Sequence, residues 1–192
     1  MSISLNKGGA ISLSKEAPTL TTVVAGLGWD PRTTTGAEFD LDASVVVCDT
    51  SGRCINDSWL IFYGQLCSPG DAIVHEGDNR TGEGEGDDES IKVELGALPP
   101  NAEKLVFVVS IHDAEARGQN FGQVQNAFIR MVDAKSDREI VRYDLAEDYS
   151  TETAMLFGEL TRQGTDWQFK ATGQGYAGGL AAVIKSFGLT VA

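Results

Sequence analysis

The 192-residue chain carries 28 acidic against 15 basic side chains, a formal net charge of -13, and 42% of its residues are hydrophobic. That length and apolar content suit one domain, 1–192, whose core needs no disulfide staples. The negative mean field repels phosphate backbones and anionic headgroups, which excludes nucleic acid as an expected partner, leaves membrane association unexpected, and favours cations.

Residues 1–9 hold no apolar run of signal-peptide length, and no stretch of ~18 apolar residues occurs anywhere, so a cytoplasmic location is expected. From there apolar residues repeat with period two more often than 3.6. This predicts strands over 20–28, 39–48, 59–62, 72–75, 90–95, 105–111, 127–132, 139–144, 155–160 and 167–172. Residues 161–166, with Gln163 and Gly164, sit between two alternating runs and predict a hairpin turn. Helix is scarcer. Leu180, Val183, Ile184 and Phe187 fall at helical spacing over 178–187, and a second short helix over 121–127 competes with an ordered loop. No internal repeat and no Pro-, Ser- or Gly-rich linker divides the chain. The expected fold is mainly β: an antiparallel β-sandwich of about ten strands with one or two short helices.

The most biased segment is 76–89. From Asp78 it reads DNRTGEGEGDDE, placing Asp78, Glu83, Glu85, Asp87, Asp88 and Glu89 against one cation, Arg80. Calcium takes roughly six to eight oxygens in flexible geometry, from carboxylates, amides and backbone carbonyls. Gly82, Gly84 and Gly86 let the backbone curl and turn carbonyls inward. Asp78 and Glu89 occupy the ends of a twelve-residue loop, as in an EF-hand. The comparison fails in detail: Arg80 stands where an oxygen ligand is wanted, Glu83 where glycine makes the sharp turn, and strands rather than helices flank the loop. Without a metal, the loop fits a flexible solvated connection.

A second acidic pair lies in the run Phe39-Asp40-Leu41-Asp42-Ala43-Ser44-Val45. In a strand, Asp40, Asp42 and Ser44 share one face, and carboxylates two residues apart stand ~7 Å from each other, near enough to meet one ion or two neighbouring ions. Taken by itself the pair also fits a solvent-facing strand edge. Asp30, before Pro31, reads as a turn residue.

Other chemistry finds little support. His75 and His112 form no metal-binding spacing, and His112 beside Asp113 reads as a hydrogen-bonded structural residue. No GxSxG or readable nucleophile and histidine pairing is present, and GEGEG lacks the Lys-Ser/Thr of a P-loop. Cys48, Cys54 and Cys67 are odd in number and read as reduced thiols. Cys48 follows three valines as a buried small hydrophobe, and no CxxC or flanking cation activates Cys54 or Cys67.

Several pieces of the chain resemble the TerD family of bacterial tellurite-resistance and stress proteins: ISLNKGGAISL near the N-terminus, GLGWD over 26–30, FDLDAS over 39–44, GDNRTGEGEGDDE over 77–89, and NAFIR over 126–130. They run in family order over most of the chain. The resemblance implies a β-sandwich with calcium sites outside the EF-hand class, a cytoplasmic location and a link to tellurite resistance. It places metal ligands at Asp40, Asp42, Asp78, Asn79, Gly82, Asp87, Asp88 and Glu89.

The function expected is a calcium-binding, non-enzymatic stress or interaction protein, with calcium ions and other tellurite-resistance proteins as partners. The alternative is a metal-dependent enzyme acting on phosphorylated or metalloid substrates.

Overall fold

The alternating runs build two six-stranded sheets in a computed structural model that describes residues 2–145 and 149–190. In chain order the strands are β1 (Ile3–Leu5), β2 (Ala10–Ser12), β3 (Thr22–Gly28), β4 (Leu41–Cys48), β5 (Leu60–Ile61), β6 (Ile73–His75), β7 (Glu89–Glu94), β8 (Lys104–Ile111), β9 (Phe128–Asp133), β10 (Arg138–Asp144), β11 (Ala154–Gln163) and β12 (Asp166–Tyr176). One sheet runs β1-β10-β9-β3-β7-β6 and the other β2-β12-β11-β8-β4-β5.

Every expected strand is present, and two more appear at the N-terminus. β1 and β2 are three residues each, too short for periodicity to register. β1 pairs with β10 in parallel, which corrects the wholly antiparallel expectation at that pairing. A hairpin forces neighbouring strands antiparallel; β1 and β10 lie far apart in sequence and are free of that constraint. The segment therefore borders one sheet with β1 and the other with β2.

One hydrophobic cluster draws on both sheets. Leu41, Ala43, Val45 and Val47 of β4 meet Val23, Ala25 and Leu27 of β3 and Ile91 and Val93 of β7. The opposite face of β4 is covered too, because α3 (Gly179–Ser186) lays Val183 and Ile184 over Val46, Cys48, Val106 and Val108. β4 lies between β8 and β5 and is buried throughout its length. The reading of Asp40 and Asp42 as a solvent-facing edge is therefore corrected: sequence periodicity gives the facing of a side chain but not what lies over it.

The helix expected over 178–187 is α3. The second, over 121–127, shortens to a single 3-10 turn, Phe121–Gln123. Two four-residue helices were not foreseen: α1 (Leu13–Glu16), whose first turn is capped by the Ser12 hydroxyl accepting from Lys15 N–H, and α2 (Ala114–Arg117). The expected hairpin is tighter than its sequence signal, since Gln163 pairs with Asp166 and Gly164 takes φ 65°. Among the described residues no helix is long and apolar enough to cross a membrane.

Candidate cation site

Among the described residues, β5 pairs with Val45 and Val46 alone. The first residues of β4 consequently have no strand on that side, and an edge N–H buried there must find another partner. Ala43 N–H donates to Glu89 Oε2 at 2.6 Å, so the first residue of β7 in one sheet completes the edge of β4 in the other. His75 of β6 places Nε2 3.5 Å from the same oxygen. Its Nδ1 accepts from Gly77 N–H at 3.3 Å, which leaves the ring proton on Nε2, facing Glu89. At 3.5 Å this contact is electrostatic rather than a good hydrogen bond. Burial works against the His75 cation, but Glu89 outweighs it and the net shift of the imidazole is upward. Burial pushes the Glu89 carboxyl up, opposed by His75 and Ala43 N–H.

The acidic loop is thus anchored at its β7 end beside the open edge of β4. Asn79 organises the rest. Its Oδ1 accepts from Thr81 N–H and Gly82 N–H, each at 3.1 Å, and its Nδ2 donates to Asp88 Oδ1 at 3.0 Å. Asp88 Oδ2 accepts from Trp29 N–H at 2.9 Å, and the Trp29 indole donates to Phe39 O at 3.1 Å. Trp29 thereby ties the loop to the segment that enters β4. Gly82 has φ 72°, and a Cβ there would stand 2.4 Å from Trp29 Nε1; both backbone and space require glycine.

Against this frame Asp40, Asp42 and Asp78 converge, each offering a carboxylate oxygen within 4.8 Å of the others. Asp40 and Asp42 are each 5% exposed. Asp40 Oδ1 is buried with no hydrogen-bond partner among the described residues. The nearby basic side chains are loosely held: Arg80 Nε lies 3.6 Å and Arg117 Nη1 3.9 Å from Asp40 Oδ2, and His112 Nδ1 lies 3.5 Å from Asp42 Oδ2. Burial, then the charges of Glu89 and Asp40, push the Asp42 carboxyl up from 3.8 to about 7, with His112 pulling the other way. Buried like charges with an unmatched oxygen are short of positive charge.

The residues that the resemblance names therefore divide into three groups. Asp40, Asp42 and Asp78 face one another. Asn79, Gly82, Asp88 and Glu89 shape the loop beside them, with their polar groups engaged as described. Asp87 is turned elsewhere: Arg130 donates to its two oxygens from Nε at 2.7 Å and Nη2 at 3.1 Å, and Arg130 Nη1 also reaches Glu139 at 3.1 Å. The Asp87 carboxylate lies over Gly26, where a Cβ would come within 2.2 Å of it. Asp30, read as a turn residue, lies in an irregular segment after β3 and accepts from the distant Asn126 Nδ2 at 2.6 Å.

Sequence reasoning missed Arg117 and His112 beside the cluster. His112, read as structural, faces Asp42, and its N–H donates to Asp40 O at 2.8 Å. The cross-strand register explains it, since Leu41 pairs with Ile111. Next to His112 opens a cleft of about 640 Å³, lined by Asp42, Tyr63, Ser110, Thr153 and the first turn of α3.

A family profile described as the TerD domain matches residues 1–187. The chain is 57% identical over 189 residues to tellurium resistance protein TerD of Serratia marcescens, covering 98% of each. It is 53% identical over 192 residues to general stress protein 16U of Bacillus subtilis (strain 168), covering all of both. Among solved structures it is similar to a homologue of telluride resistance protein (TerD) from Streptomyces coelicolor A3(2), with TM-score 0.72 and 22% identity over 90% of this chain and 99% of that one. At that identity the likeness shows the fold alone.

Proposed function

We propose that this chain, which belongs to the TerD family, is a cytoplasmic calcium-binding protein whose part in tellurium resistance and stress response is non-enzymatic. In this reading residues 1–192 form one β-sandwich domain, and the ion joins the acidic loop to the start of β4, presenting a fixed surface to other tellurite-resistance proteins. The observation that carries the reading is the convergence of Asp40, Asp42 and Asp78 about the unpartnered Asp40 Oδ1.

The donor set fits a hard cation. Three carboxylates supply oxygen only, and the glycine-rich loop beside them can add carbonyls, such as that of Gly82, or the side chains of Asn79, Asp88 and Glu89 after small rearrangements. A bound calcium ion supplies the positive charge that Arg80 and Arg117 provide only in part. Asp87 belongs to the mounting of the loop in this reading, because Arg130 occupies its carboxylate.

A ligand that binds only the native state stabilises it by about 2.7 kcal/mol at a hundredfold excess over Kd. Calcium added back to chelated protein should raise the melting temperature by several degrees. An unchanged melt would remove the proposal.

One observation favours a second reading, a metal-dependent enzyme acting on phosphorylated or metalloid substrates: the cleft beside Asp42 is open and places His112 at the edge of the cluster. Magnesium, which binds phosphate oxygens in octahedral geometry, should then replace calcium. Stabilisation by calcium and none by millimolar magnesium would favour the binding role.

A further inference from the structure

β4 ends at Cys48, and the chain returns through a short turn to Cys54. The two residues are bridge partners in antiparallel register. Their hydrogen-bonding is specific: Ile55 N–H donates to Val47 O and Asp49 N–H to Arg53 O, each at 3.0 Å. The bonds flank the cysteines rather than joining them, so Cys48 and Cys54 form a non-hydrogen-bonded antiparallel pair. In such pairs the Cα atoms stand ~4.5 Å apart and the side chains share one face. A disulfide accepts Cα separations of ~4.4–6.8 Å, a range that includes the spacing of such pairs.

Cys48 belongs to the outer cluster beneath α3 and Cys54 packs against that cluster, its Sγ donating to Asn56 O at 3.2 Å and its N–H to Phe187 O at 3.0 Å. Cys48 is fully buried, Cys54 is half-buried, and Cys67 is exposed at a different place, opposite Val74. We infer that Cys48 and Cys54 are a modification site, a thiol pair that a peroxide-class oxidant closes to an intramolecular disulfide and a dithiol reductant reopens.

The more accessible Cys54 reacts first. Its sulfur attacks one peroxide oxygen, the O–O bond breaks, and a sulfenic acid and one water result. The Cys48 sulfur then attacks the Cys54 sulfur, the S–S bond forms, the S–O bond breaks, and the hydroxide leaves as water with the Cys48 proton. Each sulfur gives up one electron and the peroxide gains two. Burial raises both thiols above their ordinary value, Cys48 to about 12. The thiolate fraction near neutrality is therefore small, and closure is slow and accelerates with pH. Such a pair answers sustained oxidant rather than a brief pulse.

Trypsin cuts after Arg53, between the two cysteines, so the crosslink can be read as a linked peptide pair. The Cys67→Ser protein, incubated with hydrogen peroxide for hours at pH 8.5, alkylated and digested without reductant, should yield the 33–53 peptide joined to the 54–80 peptide in a monomeric product 2 Da lighter. Dithiothreitol should restore both thiols. Thiol titration of the same Cys67→Ser protein should show the loss of two thiols per monomer. Sulfinic acid at Cys54 with Cys48 free would overturn the inference. So would a Cys54 to Cys54 dimer as the main product, or two unreacted thiols under conditions that oxidise the urea-unfolded chain.

Discussion

Replacing Asp42 by Asn should make the cation-free protein more stable. Asp42 is buried beside Glu89 and Asp40, and its carboxyl is pushed from 3.8 to about 7. Between those values the native state holds a proton that the unfolded chain has released, so stability of the cation-free protein falls as pH rises from about 4 to about 7. At about 1.4 kcal/mol per pH unit, the ionised carboxylate costs at most about 4 kcal/mol above that window. Local relaxation and water reduce this, and a gain of about 1–3 kcal/mol is expected for Asp42→Asn at pH 8. In a chain of this size each kcal/mol moves the melting temperature by about 2–4 °C. Thermal melts in excess chelator at pH 8 should therefore place Asp42→Asn about 2–12 °C above wild type, with the difference shrinking towards pH 5. Added calcium should reverse the order, since the wild type gains from the ion and the variant largely does not. An Asn variant that melts at or below wild type in chelator at pH 8 would refute the account of a cluster short of positive charge.

Three more outcomes follow from the same geometry. Asp87→Asn should lose part of the charge-assisted pair with Arg130, costing about 1–3 kcal/mol by chemical denaturation, while calorimetric calcium stoichiometry stays unchanged; a lost site would return Asp87 to the ligands. Glu89→Ala should destabilise by about 2 kcal/mol or more even in chelator, because Ala43 N–H is left buried without an acceptor, and a melt equal to wild type would contradict that role. Trp29 touches Gly82 and bonds to Asp88, so calcium should change tryptophan fluorescence, and Trp29→Phe should remove the change even though Trp59 and Trp167 remain. Persistence of the signal in that variant would place the ion away from the loop.

Much of the fold was legible because half-buried strands write their facing into every second residue. The runs around Val23 to Leu27 and Leu105 to Val109 alternate or stay apolar just as the shared core and the face under α3 require. β1 and β2 escaped notice because three residues carry no period, and the parallel pairing of β1 is a tertiary choice. Sheet order is equally silent in the sequence, which is why the burial of Asp40 and Asp42 could not be foreseen.

The candidate site shows the same division. The acidic, glycine-spaced loop and the Asp40/Asp42 pair were visible as compositions and spacings, and the structure brings their members Asp40, Asp42 and Asp78 together. Asp87 and Asp88 are indistinguishable as letters, yet one points over Gly26 to Arg130 and the other to Trp29 and Asn79. Neighbours in an extended chain face opposite ways, and only the fold says which face meets what. His112 entered the site through cross-strand register, and the opposition of Cys48 and Cys54 through the turn that follows β4. Neither leaves a local motif.

The most direct test of the central claim is a calorimetric calcium titration of chelator-treated wild type beside Asp78→Ala at pH 7, in two buffers of different ionisation enthalpy. Wild type should bind calcium and release protons, because Asp42 must ionise to serve as a ligand, and Asp78→Ala should bind at least about tenfold more weakly. No binding by wild type, or equal binding by the variant, would contradict it.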